Sequence, residues 1–249
     1  DMIALFSVTG AVAWYVSLLM DNHCTTQEQM LAYLTDTNSP FINEGKNILI
    51  EEFGTDYAVH FSILTSIANG ACTRGEIEAQ LKTDNLGSYL IRLEKYYGLI
   101  EKRQPIFAKE NSKKTRYILS DVFLTLWFRF FYKYQAYVEN GALNQLARII
   151  NRDYNAYSGF ILERYFERKI RETGYYTRIG KFWDRKGENE IDLIAINEID
   201  NVANIYEIKK NKDRYSEAIL QRKVENLLQL CPEMRKLDIH LSALSMEDM

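Results

Sequence analysis

The sequence predicts an α+β, multidomain chain: all-helical at its start, mixed in the middle and α/β with a mixed sheet at its end. Three observations carry that prediction. Residues about 55–120 read as three helices followed by two short alternating strands. Residues beyond about 150 read as helix, three strands, helix and strand, an order that builds a small mixed sheet between helices. Residues 1–52 read as helices with polar connections. The expected segments are therefore 1–52, 53–120, 121–150 and 151–249.

The first segment carries a charge-free run from Met2 to Met20, about the 18-residue length that spans a bilayer. Ser7, Thr9 and Gly10 interrupt it and no basic flank precedes it, so a pair of buried helices joined near Thr9-Gly10 is preferred and no membrane partner is expected. A start at Asp1 rather than methionine suggests a piece of something longer.

In the second segment Tyr57 to Ala68 has apolar residues at helical spacing, with Gly70 as a stop. Thr73 can cap a second helix, with Glu76 completing a capping box. Thr83 or Asp84 caps a third, Leu86 to Tyr97, closed by Gly98. Leu99 to Phe107 and Thr115 to Ser120 then alternate like strands around a polar turn, Lys109 to Lys114. Three helices and a hairpin make a winged helix, a helix-turn-helix variant. As a DNA reader it would offer Asn85, Ser88, Arg92 and Lys95 to the major groove, and Lys109, Lys113, Lys114 and Arg116 to phosphates. The same residues also suit a solvated face on a protein–protein spacer, because Glu94, Glu101 and Glu110 dilute the positive charge.

The third segment opens with Asp121-Val-Phe-Leu-Thr-Leu-Trp-Phe-Arg-Phe-Phe-Tyr, where Asp121 or Ser120 is the expected N-cap. Phe123, Leu126, Trp127 and Phe130 share a face, with Phe131 and Tyr134 beside it. Such a stripe can stack bases, but at helical spacing it reads as core, a packed joint ahead of the last domain.

In the fourth, the expected order is helix 158–172, strands 175–180, 190–196 and 204–210, helix 216–230 and strand 237–243. The second and third strands are rich in isoleucine yet carry Asp192, Glu207 and Lys209. A hairpin symmetric about residues 199 and 200 sets Asp192 opposite Glu207, with Cβ atoms roughly 4.5–5.5 Å apart. Like charges there need a positive bridge. Lys209, on the face of Glu207, is one candidate and a divalent cation is the other.

An acid on one strand and Glu-x-Lys on the next resembles the catalytic core of the PD-(D/E)XK, restriction-endonuclease-like nucleases. That family's preceding helix adds a third acid, here Glu163 or Glu167, with Glu163 the better match by its position after Ser158-Gly159. The run Gly180-Lys-Phe-Trp-Asp-Arg-Lys-Gly-Glu-Asn-Glu-Ile-Asp resembles a domain of unknown function appended to many prokaryotic AAA-type ATPases and related to those nucleases. The resemblance implies that Asp192, Glu207 and Glu163 hold Mg²⁺. It also implies that Lys209 assists a nucleophile or stabilises phosphate charge, and that Arg185 and Lys186 draw in a nucleic-acid backbone. It further implies that residues 1–52 are a remnant of the ATPase's helical lid, keeping Thr9, Gly10 and Tyr15 of its expected run. The partners implied are DNA and the chain's own ATPase domain. No Gly-x-x-x-x-Gly-Lys-[Ser/Thr] loop is present, so ATP would be bound only by an ATPase domain outside this sequence.

The implied function is the C-terminal part of an ATP-dependent DNA-processing protein with a metal-dependent endonuclease module. The alternative is an inactive nuclease-like domain that binds DNA or protein to regulate the ATPase. Gln221 and Lys223 on the last helix stand where the nuclease family often has an accessory polar residue, but by residue type they read as a solvated face. A net charge of −3 gives no global nucleic-acid signature, so binding must come from local patches. Cys24, Cys72 and Cys231 are odd in number and far apart, which suits a reduced, cytoplasmic setting. His23, His60 and His240 are isolated and read as packed or surface residues.

Overall fold

The computed structural model describes residues 1–53, 57–109, 112, 114–184 and 187–249. It is an α+β chain that divides into two compact units, one of residues 1–103 and 116–158, the other of 104–115 and 159–249.

The first unit begins with α1 (Met2–Thr9) and α2 (Ala13–Asp21). Gly10, at φ +60°, ends α1 in the left-handed conformation that glycine adopts without a Cβ clash. The charge-free run is thus two short helices, and no described helix is long and apolar enough to cross a membrane. Helices α3 (Gln27–Leu34) and α4 (Phe41–Phe53) follow, then α5 (Tyr57–Ala68), α6 (Arg74–Leu81) and α7 (Gly87–Lys95). Thr73 and Glu76 form the capping box of α6 that the spacing predicts. At α7 the expectation fails: Leu86 is the N-cap and makes no side-chain bond, so neither Thr83 nor Asp84 caps it. Strands β1 (Ile100–Arg103) and β2 (Arg116–Leu119) pair antiparallel. β1 stops well short of Phe107, since Pro105 has no N–H to give a ladder.

Asp121 caps α8 (Val122–Leu126) through the Leu124 N–H at 2.7 Å. The helix then widens into a π turn, Trp127–Tyr132, in which the Lys133 N–H reaches back to the Phe128 carbonyl at 3.3 Å. The wider turn lets Trp127, Phe128, Phe130 and Phe131 all be buried, so the aromatic stripe is core of this unit. Trp127 Nε1 donates to the Ile42 carbonyl at 2.9 Å, and its ring lies flat on Gly45, where a Cβ would meet it at 2.2 Å. Short α9 (Gln135–Glu139) precedes α10 (Leu143–Glu172), a single helix whose start lies well before the expected Ser158. Ser158 does not cap; buried mid-helix, its hydroxyl donates to the Tyr154 carbonyl at 2.8 Å.

The second unit is a four-stranded sheet in the order β3 (Arg178–Trp183), β4 (Glu190–Asn197), β5 (Val202–Ile208), β6 (Asp238–Leu244). The first three strands are antiparallel neighbours, and β6 runs parallel to β5. Helix α11 (Glu217–Leu230) supplies the crossover that a parallel pair requires. Leu220, Val224 and Leu227 of α11 share one buried cluster with Ile194 and Ile196 of β4 and Ala203 and Ile205 of β5. β3 starts later than expected because the Tyr175 carbonyl is taken by Asn197 Nδ2 at 3.0 Å, not by a neighbouring strand.

The β1–β2 connection belongs to this unit. The Ile106 N–H donates to the Lys181 carbonyl at 2.8 Å, and Arg178 Nη2 donates to the Ile106 carbonyl at 2.8 Å. The Arg178 guanidinium sits 4.7 Å from the Phe107 ring centroid, and Ile106 and Phe107 pack on the core cluster. Residues 104–107, expected as strand, are a sheet-packing loop.

Candidate acid–lysine site

Side chains alternate across a strand, so the faces that bury Ile194 and Ile196 on β4, and Ala203 and Ile205 on β5, next present Asp192 and Glu207. The register runs from Asn197↔Val202 to Leu193↔Tyr206, symmetric about residues 199 and 200 as predicted. Beyond Leu193 a carboxylate takes over from the backbone: Asp192 Oδ2 accepts the Ile208 N–H at 2.8 Å. This ties the acid to the end of β5.

Lys209 is the positive bridge. Its Nζ lies 2.8 Å from Glu207 Oε1 and 3.6 Å from Asp192 Oδ2. Its backbone N–H donates to the Leu244 carbonyl at 3.0 Å, which fixes its root at the β5–β6 edge. A second ammonium, Lys223 of α11, donates to both oxygens of Glu207 at 2.9 and 3.0 Å. Glu163 of α10 pairs with Lys181 of β3. Glu167 is also buried but pairs with Arg171 one turn on, at 3.1 Å. The Glu163 carboxyl feels the charge of Asp192.

Burial pushes the Glu163 carboxyl above its ordinary range, and Asp192 adds to the rise against the pull of Lys181. Burial raises Asp192 too, opposed by the Ile208 N–H and reinforced by Glu207. Glu207 ends below its ordinary range: burial raises it, but bonds from Lys209 and Lys223 outweigh that. Lys209 ends above its ordinary range, its desolvation more than offset by Glu207 and Asp192. The site is therefore one firmly ionised carboxylate, two carboxylates that resist ionisation, and an ammonium held charged.

Sequence reasoning missed Lys181, and it preferred a solvated face for Lys223 although the resemblance put an accessory polar residue there. Lys223 lies three residues after Leu220 and four before Leu227, inside the stripe that α11 buries, so helical spacing alone could have flagged it. Lys181 had no such signal: the β3–β4 register shifts between Gly180 and Phe182, which spoils any count of alternating faces. With both included, three lysines face Glu163, Asp192 and Glu207. The positive bridge that the opposed acids need is thus supplied by lysines. Among the described residues no three His, Cys, Asp or Glu side chains are grouped as a metal site. The fit to Mg²⁺ rests on a narrower observation: Asp192 and Glu207 are both hard oxygen donors and one cation, Lys209 Nζ, already reaches both.

Residues 127–223 match the family described as archaea bacterial proteins of unknown function, DUF234. All six residues of the acid–lysine site fall within that match. The chain is also 36% identical over 156 residues to an uncharacterized protein of Methanocaldococcus jannaschii, an alignment covering 59% of this chain and 34% of the relative. The chain thus spans about a third of the curated relative's length. No solved structure matches it.

The residues expected to meet nucleic acid are not all placed alike. Asn85, Ser88, Arg92 and Lys95 are exposed on or just before α7. Arg92 reaches the Tyr97 hydroxyl at 3.4 Å and Lys95 pairs with Glu94 at 3.1 Å. Lys109 is exposed, whereas Lys114 and Arg116 are half-buried. Lys113, Arg185 and Lys186 lie outside the described residues.

Proposed function

We propose that the second unit is a nuclease-like module and the chain part of a DNA-processing ATPase system, with Mg²⁺-dependent phosphodiester cleavage as its chemistry. One observation carries this reading: the Lys209 ammonium sits between the Asp192 and Glu207 carboxylates at the mouth of an antiparallel hairpin. Asp192 and Glu207 would hold the metal, with Glu163, which feels the Asp192 charge, as a further acid. A bound Mg²⁺ would polarise the phosphodiester and acidify a ligated water. Lys209, kept protonated by its two acids, is suited to neutralise charge building on a phosphate oxygen rather than to remove a proton. Asp192 positions the end of β5 through the Ile208 N–H, so it would order the Glu207-Ile-Lys209 segment as well as bind. The helices α5–α7 with the β1–β2 pair supply a winged-helix module, whose exposed α7 side chains Asn85, Ser88, Arg92 and Lys95 face solvent and suit a DNA groove. Helices at the start of the chain would adjoin the ATPase domain.

The test is cleavage of plasmid and linear DNA with Mg²⁺ or Mn²⁺ by wild type, Asp192→Ala and Lys209→Ala. Metal-dependent cutting lost in both variants supports the reading, and equal cutting by all three ends it.

A second reading is favoured by the ion pairing: among the described residues Lys181, Lys209 and Lys223 pair with Glu163, Asp192 and Glu207, so the site also stands as an ion-pair cluster in a non-cleaving module that binds DNA or protein. Salt-sensitive DNA binding without cleavage would support it. Replacing Arg92 and Lys95 by Ala should then lower the log–log salt slope by about 2.

A further inference from the structure

Resting on the reading of this site as one for a divalent cation, we infer that Lys181 and Lys223 are exchangeable counter-ions that compete with the metal for Glu163 and Glu207. The three lysines are not equivalent. Lys209 is shared between two acids and rooted at the sheet by its backbone bond to Leu244. Lys223 is bound by Glu207 alone among the described residues, occupies both oxygens of that carboxylate, and hangs from α11 on a flexible four-carbon stem. A divalent ion that takes Glu207 is repelled by both ammoniums beside it, Lys209 at 2.8 Å and Lys223 at 2.9 Å, so one of the two must give way. Lys223 is the one that can leave, since it is held by a single acid, whereas Lys209 is shared between Asp192 and Glu207. Lys181 holds Glu163 the same way from β3, with 17% of its side chain exposed. Metal entry is therefore an exchange of cations, and the lysines set its affinity. Lys223 and Lys181 are positioning residues: they hold the carboxylates in place until a divalent ion takes them.

The experiment is a Mn²⁺ titration of the full chain by calorimetry, for wild type, Lys223→Met, Lys181→Met, Lys223→Arg and the control Lys212→Met. Lys212 lies near Asp248, not at the site, so its loss removes an equal charge without freeing a site carboxylate. Lys223→Met should bind Mn²⁺ about tenfold more tightly, Lys181→Met should move in the same direction, and Lys223→Arg and Lys212→Met should stay near wild type. Should Lys223→Met lose its fold by thermal unfolding, Lys223→Gln takes its place with the same expectation. Unchanged or weaker binding in the Lys223 and Lys181 variants overturns the inference, as does an equal gain in Lys212→Met or an absence of Mn²⁺ binding in every protein. Cleavage assays on the same samples separate the two ideas. Tighter Mn²⁺ binding without cleavage removes the hydrolase and keeps the exchange, whereas cleavage with unshifted affinity does the reverse.

Discussion

Lys223 Nζ on α11 lies 2.9 Å from Glu207 Oε2 and 3.0 Å from Glu207 Oε1 on β5, so one ammonium clamps a whole carboxylate and joins the crossover helix to the charged end of its strand. Truncating Glu207 to Ala would leave Lys209 and Lys223 without that acid. Because both lysines are partly solvated, we expect a loss of about 2 kcal/mol rather than the larger cost of a fully buried pair. A double-mutant cycle with Glu207→Gln and Lys223→Met, read by urea unfolding, should give a coupling of about 1 kcal/mol. Additive single effects would contradict the clamp.

The site should leave a mark on pH-dependent stability. Glu163 and Asp192 bind their protons more tightly folded than unfolded, so each lowers stability as pH climbs above its ordinary range, near 4.5 for Glu163. Glu207 acts oppositely: its contribution is present above its ordinary range and is lost as pH falls through its lowered folded value. Glu163→Gln deletes a group of the first kind. Its unfolding free energy, followed from pH 4.5 upward, should therefore gain on that of wild type as pH rises. Parallel curves would show that Glu163 is not held against ionisation.

Gly45 is fixed by a neighbour rather than by its own backbone. A Cβ there would stand 2.2 Å from the Trp127 ring, whose Nε1 is already committed to the Ile42 carbonyl. Gly45→Ala should cost about 2 kcal/mol despite improving helix propensity. Calorimetric melting a few degrees lower would confirm this, and unchanged melting would mean that α4 and the indole can shift.

Cys72 is a weak nucleophile by construction. Burial pushes its thiol up to about 11, and the neighbouring Glu76 carboxylate adds to that. At pH 8 only about one thiol in a thousand is ionised, so modification by a disulfide reagent should be slow under native conditions and should quicken as pH approaches 10. Fast labelling of Cys72 at pH 7 would refute the assignment.

Much of the local structure is legible in the sequence. The isoleucine-rich β4 and β5, their hairpin register, the Thr73 capping box and the Asp121 cap all depend on contacts local in sequence, from three residues apart at the caps to the Leu193–Tyr206 pair of one hairpin, which spacing encodes directly. The misses depend on distant partners. Lys181 was invisible because the register shift in β3 is decided by how β4 pairs with it. Lys223 looked solvated because its polar type outweighed its place in the Leu220–Leu227 stripe. Ser158 read as a helix start, yet its hydroxyl is satisfied by the turn behind it, so α10 runs on.

The loop from Gln104 to Thr115 has a practical consequence. Arg178 and Ile106 are bonded across 72 positions of sequence. A truncation beginning at Gly159 would lack Ile106 and Phe107 and would uncover apolar surface on the sheet, inviting aggregation. Excising the catalytic candidate as a contiguous piece should fail. A splice that carries 104–115 along, or expression of the entire chain, is the route to soluble material.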